Sequence, residues 1–146
     1  MKKRVPISTI MTKNVIKLNL SDPLTKAEKL FKKHNIRHIP VVNGTKIVGM
    51  LSYTDLLRIS FADAVYDDEE IDVVVYDMFD ISQVMTKKII TITEDTTIKE
   101  AAEILASKEF HALPVLKDGH LTGIITTTDL IKYLLKQYDS YSVEEE

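Results

Sequence analysis

The chain has 146 residues and no cysteine, and its 19 basic and 22 acidic side chains leave a formal net charge of −3. Disulfides, thiol catalysis and thiolate metal sites are therefore excluded, and the acidic balance argues against nonspecific nucleic-acid binding. No apolar run approaches the ~18 residues of a membrane span and no signal peptide is recognisable, so we expect a soluble, cytoplasmic protein without membrane insertion.

The first half of the chain predicts the order strand, helix, strand, strand, helix. Val15–Leu18 is short and rich in β-branched residues, which is typical of a strand. Ser21-Asp22-Pro23 predicts a helix start, with a capping side chain before a proline at the first helical position. His38–Val42 and Lys46–Ser52 predict a hairpin, and a helix from Tyr53 to about Tyr66 follows it.

The second half of the chain repeats this order. Ile89–Ile92 predicts a strand, and Thr97 and Glu100 have capping-box spacing before an apolar helix. The second hairpin turns at Asp118-Gly119, one place later in the alignment than Asn43-Gly44 in the first half. We therefore expect the two hairpins to differ in register.

An internal repeat accounts for the recurrence. At an offset of 74 residues, 7–57 align with 81–131 without a gap, and 13 of the 51 aligned positions are identical. Chance would give roughly three identities at average composition. The chain is therefore a tandem of two related units.

The alignment divides the chain into four parts. Repeat 1 is predicted at 7–66, an acidic and apolar linker at 67–80, repeat 2 at 81–138 and a flexible tail at 139–146. The second helix of repeat 2 is expected to run from Thr127 to about Tyr138. A three-stranded sheet with helices on one face is too thin alone, so we predict an α/β fold of the α+β type in which two β-α-β-β-α repeats pack together.

One motif stands at the same place in both repeats, where a strand runs into a helix. It reads Gly49-Met50-Leu51-Ser52-Tyr53-Thr54-Asp55 in the first and Gly123-Ile124-Ile125-Thr126-Thr127-Thr128-Asp129 in the second. A helix start attracts anions, a hydroxyl can bind a phosphate or sugar oxygen, and a carboxylate three residues on can accept from two ribose hydroxyls. The same spacing also describes a capping box that needs no ligand.

The chain resembles a tandem CBS (cystathionine β-synthase) domain pair, or Bateman module, from Ile7 to about Tyr138. The resemblance rests on Ile7–Thr12, echoed at Ile81–Thr86, on Ile39–Val42, echoed at Leu113–Leu116, and on the two Ser/Thr-x-x-Asp motifs. It implies two repeats related by a pseudo-twofold axis and a regulatory role without catalysis. It also implies an adenosyl ligand between the repeats, such as AMP, ADP, ATP, S-adenosylmethionine or a cyclic dinucleotide, and no obligatory cofactor.

The resemblance also implies which residues bind that ligand. Asp55 and Asp129 would bind ribose, and Ser52 and Thr126 would contact the ribose and phosphate. Basic groups for phosphate would come from Arg37, His38 and His111, although each also reads as an ordinary surface or strand-start residue. Ala112 departs from the basic pattern and makes a polyphosphate less expected at repeat 2. The adenine slots would be lined by Val15, Ile39, Pro40, Ile89, Leu113 and Pro114.

Other chemistries have less support in the sequence. His34 and His38 have the spacing of two metal ligands on a helix, but the chain between them reads as a passage from helix to strand, which would point them apart. Asp67–Glu70 could hold a hard divalent cation, although a solvated acidic loop is the simpler interpretation. We therefore expect neither a metal site nor a catalytic residue.

Three functions follow, in decreasing order of support. The first is a sensor of adenine nucleotides that passes a conformational or docking signal to an unknown protein partner, and that is expected to form a homodimer through its helices. The second is a ligand-free dimerisation and docking module in which both Ser/Thr-x-x-Asp motifs serve only as helix caps. The third is a divalent-cation sensor that uses the acidic linker.

Overall fold

The computed structural model describes residues 4–60 and 76–144, with side chains to 140. The chain divides into two compact units. We call residues 16–89 the first-repeat unit, and residues 1–15 together with 90–146 the second-repeat unit. The mixed α+β fold class is confirmed. After a short 3-10 helix at Ile7–Thr9, the elements are β1 Leu18–Asn19, α1 Leu24–His34, β2 His38–Asn43, β3 Lys46–Ser52, α2 Tyr53–Ser60, α3 Ile81–Val84, β4 Ile92–Thr93, α4 Ile98–Ser107, β5 Ala112–Lys117, β6 His120–Thr126 and α5 Thr127–Glu144.

Each unit contains one three-stranded sheet with its own core. The strand orders are β1-β2-β3 and β4-β5-β6, and in each sheet the first pair is parallel and the second antiparallel. The first strands are shorter than predicted because only Leu18–Asn19 and Ile92–Thr93 pair with a neighbouring strand. In the first-repeat unit, Phe31 of α1 packs with Ile39 and Leu51 in a core of apolar side chains. The second-repeat unit has the corresponding core around Leu105, Leu113 and Ile125.

The two hairpins have the same register, so the prediction that they differ was wrong. Asn43 pairs with Lys46 and Lys117 with His120. The pairing register shifts between Val41 and Val42 in the first hairpin and between Val115 and Leu116, the aligned positions, in the second. Different turn residues serve this common geometry. Gly44 has a φ of 67° in the first turn, whereas both Asp118 (52°) and Gly119 (80°) have positive φ in the second. Because Asp tolerates the left-handed region, the displaced glycine does not displace the strands.

The segments that lead into the repeats pack on the sheet of the other repeat. Thr12, from the start of repeat 1, donates its N–H to Ile124 O (2.9 Å) and accepts from Ile124 N–H (3.0 Å) in β6. Thr86, from the start of repeat 2, exchanges the same two bonds with Met50 in β3 at 2.9 and 3.0 Å. We call Ile7–Thr12 and Ile81–Thr86 the leading segments. Each compact unit thus consists of one repeat completed by the leading segment of the other.

The helix ends differ from the predictions at two places. Pro23 is itself the N-cap of α1 and no side chain caps it, because Asp22 instead accepts from Asn19 N–H at 2.8 Å. The helix α5 continues to Glu144 rather than ending near Tyr138, since no glycine or proline follows to stop it. Thr97 caps α4 as predicted, with its hydroxyl oxygen 3.1 Å from Glu100 N. Residues 61–75, and with them the end predicted for α2 and the acidic linker at Asp67–Glu70, lie outside the described residues.

Candidate functional site

The Ser/Thr-x-x-Asp motifs form closed capping boxes at the start of α2 and α5. Ser52 N–H donates to Asp55 Oδ2 at 3.0 Å, and Asp55 N–H donates to the Ser52 hydroxyl at 3.0 Å. The corresponding distances between Thr126 and Asp129 are 3.0 and 3.2 Å. The capping interpretation of the motif is therefore confirmed. It leaves the second carboxylate oxygen, Oδ1, outside the capping box in both repeats.

The β2–β3 pairing brings two of the predicted basic residues to the first capping box. His38 lies opposite Ser52 in the sheet, and Tyr53 N–H donates to Arg37 O at 2.8 Å. The ring of Tyr53 also packs edge-on against Phe31, with centroids 5.5 Å apart. Arg37 and His38 therefore lie beside the strand-to-helix junction of β3 and α2, as the predicted site requires.

The second-repeat unit has the same arrangement with fewer basic groups. Ala112 lies opposite Thr126, and Thr127 N–H donates to His111 O at 3.1 Å. His111 is exposed, whereas Ala112 is buried. We call 52–55 with Arg37 and His38 the Asp55 junction, and 126–129 with His111 and Ala112 the Asp129 junction.

The structure does not support two of the predicted apolar lining residues. Ile39 and Leu113 have no exposed surface, and each packs in the core of its own unit. Their side chains therefore cannot present a surface to a ligand unless the core repacks. Pro40 and Pro114 follow them on the opposite face of each sheet, because side chains alternate along a strand, and both are buried.

Val15 and Ile89 are half-buried and lie where the chain passes from one unit to the other. Val15 belongs to the second-repeat unit and Ile89 to the first-repeat unit, the reverse of their order in the sequence repeats. The exchange of the leading segments causes this reversal.

The prediction missed one residue at the Asp55 junction. Arg58 Nη1 lies 3.5 Å from Asp55 Oδ1, the oxygen that the capping box leaves outside. The Asp55 side chain is only 11% exposed and that of Arg58 75% exposed. The i, i+3 spacing on a helix is the signal that could have identified the pair.

A separate cavity of about 500 Å³ lies in the first-repeat unit. It is lined by 19–21, 42–44, Asp80 and Ser82. These residues include none of the predicted site, and 42–44 lie at the end of β2 away from His38. In the described ranges, 4–60 and 76–144, no three His, Asp or Glu residues group as metal ligands would, and no helix is both long and apolar enough to cross a membrane.

Comparison with known proteins identifies the family. The sequence model of the CBS domain matches residues 7–62 and again residues 81–136. The chain belongs to the CBS domain family, as a tandem pair. The leading segments, the hairpins and the two Asp junctions are thus parts of two CBS domains, and the resemblance seen in the sequence is confirmed.

Three relatives show how this CBS pair compares with known proteins. An inosine-5′-monophosphate dehydrogenase from Thermoplasma acidophilum is 32% identical over 84% of this chain, which spans 22% of that protein. The crystal structure of CBSX2 in complex with AMP has a TM-score of 0.75 and 22% identity, covering 92% of this chain and 98% of that one. The CBS domain pair of protein MJ0100, in complex with 5′-methylthioadenosine and S-adenosyl-L-methionine, has a TM-score of 0.77 and 23% identity, covering 92% and 99%.

These comparisons show the fold of the CBS pair. At such identities the two solved structures are evidence for the architecture alone. The chain spans 22–46% of the length of three curated relatives that it matches, among them the dehydrogenase. The activity of those larger proteins therefore does not transfer to this chain.

Proposed function

We propose that this CBS pair is a regulatory module that binds an adenosyl ligand, such as AMP, ADP or ATP, and passes the resulting change to a partner protein. The observation that carries the proposal is the Asp55 junction. A hydroxyl, a carboxylate with an oxygen outside the capping box, and the basic residues Arg37 and His38 lie together at one strand-to-helix turn. A ribose diol needs the carboxylate as acceptor and a phosphate needs the basic groups.

Two relatives support the choice of ligand class. CBSX2 was solved with AMP, and the CBS pair of MJ0100 with 5′-methylthioadenosine and S-adenosyl-L-methionine. In all three ligands an adenine–ribose unit carries a further group at its 5′ position, and this group is charged in some of them and neutral in others. We therefore propose that Asp55 in repeat 1 and Asp129 in repeat 2 bind the ribose. We assign the recognition of phosphate to Arg37, His38 and His111.

The Asp55→Asn and Asp129→Asn substitutions test this assignment. An amide oxygen still accepts from the N–H of Ser52 or Thr126, so the caps should survive, whereas a charge-assisted bond to ribose is lost. Such bonds contribute about 1.5–3 kcal/mol, so we expect affinity to fall by about ten- to a hundredfold. The measurement is a thermal-shift titration of the nucleotide-stripped protein with AMP, ADP, ATP and S-adenosylmethionine.

Asp22→Asn is the matched control for these variants. Asp22 also accepts a backbone N–H, from Asn19, but lies at the other end of the sheet. It should leave nucleotide binding unchanged. Unaltered affinity in both Asp55→Asn and Asp129→Asn would refute the ribose assignment, and a flat response of the wild-type protein to every nucleotide would refute the ligand class.

A specific observation favours a ligand-free docking module as the second candidate. Both capping boxes are complete in the protein alone, so neither motif needs a ligand to satisfy its hydrogen bonds. The titration separates the two functions, because a docking module shows no shift with any nucleotide.

The divalent-cation alternative rests on Asp67–Glu70, which lie outside the described residues. If the chain is a divalent-cation sensor, neutralising all four side chains should abolish any magnesium-dependent stabilisation.

We also propose that the chain forms a homodimer through α5. This helix leaves large apolar side chains exposed at i, i+3, i+4 and i+7, which form one stripe: Ile131 (57%), Leu134 (54%), Leu135 (57%) and Tyr138 (70%).

The Leu134→Lys substitution places a charge in the middle of the stripe and should convert the dimer to a monomer in sedimentation velocity. Lys136→Gln, on the same helix, is the control and should remain dimeric. A wild-type monomer contradicts the proposal.

A further inference from the structure

The first helices of the two repeats, α1 and α4, carry opposite net charge. With histidine neutral, four lysines and one glutamate give α1 a charge of +3, whereas one lysine and two glutamates give α4 a charge of −1. At the 74-residue offset, Lys26 aligns with Glu100 and Lys29 with Glu103. The sign of the charge is therefore reversed at two aligned positions.

These charged side chains lie on the outer faces of their helices. Lys26, Lys29 and Lys33 are exposed at i, i+3 and i+7 of α1, two positions along the helix from its buried residues and therefore on the side away from the core. Glu100 and Glu103 are exposed on α4 and stand in the same relation to its buried residues. Both sets of charges can therefore contact another molecule.

The charge on each outer face is available to a partner. Within the described residues, Lys29 and Lys33 form no ion pair. Glu103 lies 3.7 Å from Lys99, but the two side chains are 64% and 74% exposed, and such exposed pairs are weak. Water is thus the main neighbour of the free α1 lysines and of Glu103.

Each charged helix packs beside a helix with an exposed apolar side chain. In the first-repeat unit α1 packs against α2, which exposes Leu57 (44%), and in the second-repeat unit α4 packs against α5, which exposes Ile131 (57%). Leu57 and Ile131 are aligned at the 74-residue offset. We call α1 with α2 the repeat-1 helix face and α4 with α5 the repeat-2 helix face. The two faces share their geometry and an apolar position, and they differ in the sign of their charge.

We propose that the homodimer is antiparallel, with the repeat-1 helix face of one chain packed on the repeat-2 helix face of its partner. This inference rests on the homodimer proposed above and adds its orientation. In a dimer with twofold symmetry this contact is present twice. A parallel dimer would instead place +3 against +3 and −1 against −1, and like charges across an interface oppose association.

Charge reversal gives effects of opposite sign for the two orientations. Two unit charges about 8 Å apart in water change a dissociation constant by about twofold. Lys29→Glu changes the charge by two units in a contact that is present twice, so the dissociation constant of an antiparallel dimer should rise about 15-fold. In a parallel dimer the same substitution relieves repulsion between the two α1 helices and should tighten association. The measurement is sedimentation equilibrium of the full chain at low ionic strength.

A compensating substitution and a matched control accompany this variant. Glu103→Lys alone should also weaken the dimer, and Lys29→Glu combined with Glu103→Lys should restore it. Lys46→Glu makes the same charge change at an exposed hairpin position outside both helix faces, and it should leave the dissociation constant nearly unchanged. Because exposed charges are screened by salt, the differences between variants should shrink at ~1 M salt.

Cross-linking reports the orientation directly, since the chain has no cysteine of its own. Leu57→Cys and Ile131→Cys are prepared as separate chains and treated with a short bifunctional maleimide. In an antiparallel dimer a mixture of the two chains should form a covalent dimer, whereas each chain alone should form little. In a parallel dimer each chain alone should be cross-linked. Lys46→Cys mixed with either chain is the control and should give no covalent dimer.

Failure of the orientation differs from failure of the homodimer. If Leu57→Cys and Ile131→Cys are cross-linked each with itself and not with each other, or if Lys29→Glu tightens the dimer, the antiparallel orientation is wrong while the homodimer stands. If Lys29→Glu leaves the dimer unchanged, the basic face of α1 has another occupant, such as the acidic linker, and the inference is wrong. A wild-type chain that sediments as a monomer would contradict the homodimer and its orientation together.

Discussion

At the scale of single residues, the glycine and methionine that both repeats share are contact partners across the repeats. A Cβ at Gly49 would lie 2.5 Å from Met85 Sδ, and one at Gly123 would meet the side chain of Met11. Both glycines therefore leave room for the methionine of the opposite leading segment. Neither has a positive φ, so the requirement is close packing and not backbone conformation.

The Gly123→Ala substitution should destabilise the protein by about 1–3 kcal/mol, since overpacking a tight contact forces its neighbours to move. The three atoms nearest the new Cβ all belong to the Met11 side chain. In a Met11→Ala background the same substitution should therefore be nearly neutral. The measurement is a double-mutant cycle by urea denaturation.

Gly49→Ala with Met85→Ala provides the contrast. Here the Thr86 carbonyl oxygen would also lie 2.9 Å from the new Cβ, and backbone cannot be trimmed away. Met85→Ala should therefore relieve Gly49→Ala only in part. Equal relief at the two positions would contradict this account of the contacts.

At the scale of elements, the helices begin in different ways. Ser52 and Thr126 are held in reciprocal capping boxes, Thr97 caps α4 through its hydroxyl, and α1 begins at Pro23 without a side-chain cap. A proline supplies the right φ for a helix start, and the Pro23 carbonyl accepts from Lys26 N–H at 3.1 Å, but its side chain offers no acceptor for the other free N–H groups. The stability of α1 therefore depends on its buried face, Leu24, Ala27 and Phe31.

Thr97→Ala should lower the free energy of unfolding by about 1 kcal/mol, because it removes the acceptor for Glu100 N–H at the start of α4. Thr91→Ala, at an exposed loop position before β4, is the control and should have little effect. The two variants are compared by thermal denaturation. A Thr97→Ala melting curve that coincides with that of the control would show that the cap contributes nothing measurable.

At the scale of the whole molecule, each repeat depends on a segment of the other. The leading segment of repeat 1 adds a bridge to the edge of β6, and that of repeat 2 does so at the edge of β3. Beyond the bridge, Ile7 N–H donates to Thr96 O at 2.6 Å, and Ile7 is fully buried in the core of the second-repeat unit. A single repeat cut out at its sequence boundaries would therefore lack part of its own core.

Proline substitutions in the leading segments test this exchange. Thr12→Pro removes the N–H that binds Ile124 O, and Thr86→Pro removes the N–H that binds Met50 O. We expect Thr12→Pro to accelerate hydrogen exchange at the Ile124 amide and Thr86→Pro to do so at the Met50 amide. Each variant is the control for the other, and an effect confined to the repeat that carries the substitution would contradict the exchange.

The sequence by itself determined the repeat, the order of elements and the family. Apolar periodicity and turn residues are local patterns, and the 74-residue offset comes from comparing the sequence with itself. All three can therefore be recognised without knowing which residues are in contact in three dimensions. It also located Ser52, Asp55, Thr126 and Asp129, because a strand-to-helix turn with a hydroxyl and a carboxylate three residues apart is a local pattern. Their role in binding ribose stays a prediction.

Only the tertiary structure decided which parts of the chain meet. The identities of Met11, Met85, Gly49 and Gly123 between repeats are visible in the sequence, but an alignment does not show that each methionine packs on the glycine of the other repeat. The burial of Ile39 and Leu113 and the common register of the two hairpins depend on sheet pairing and on core packing in the same way. These features arise from contacts between residues far apart in the chain, and side-chain period and turn composition constrain such contacts without specifying them.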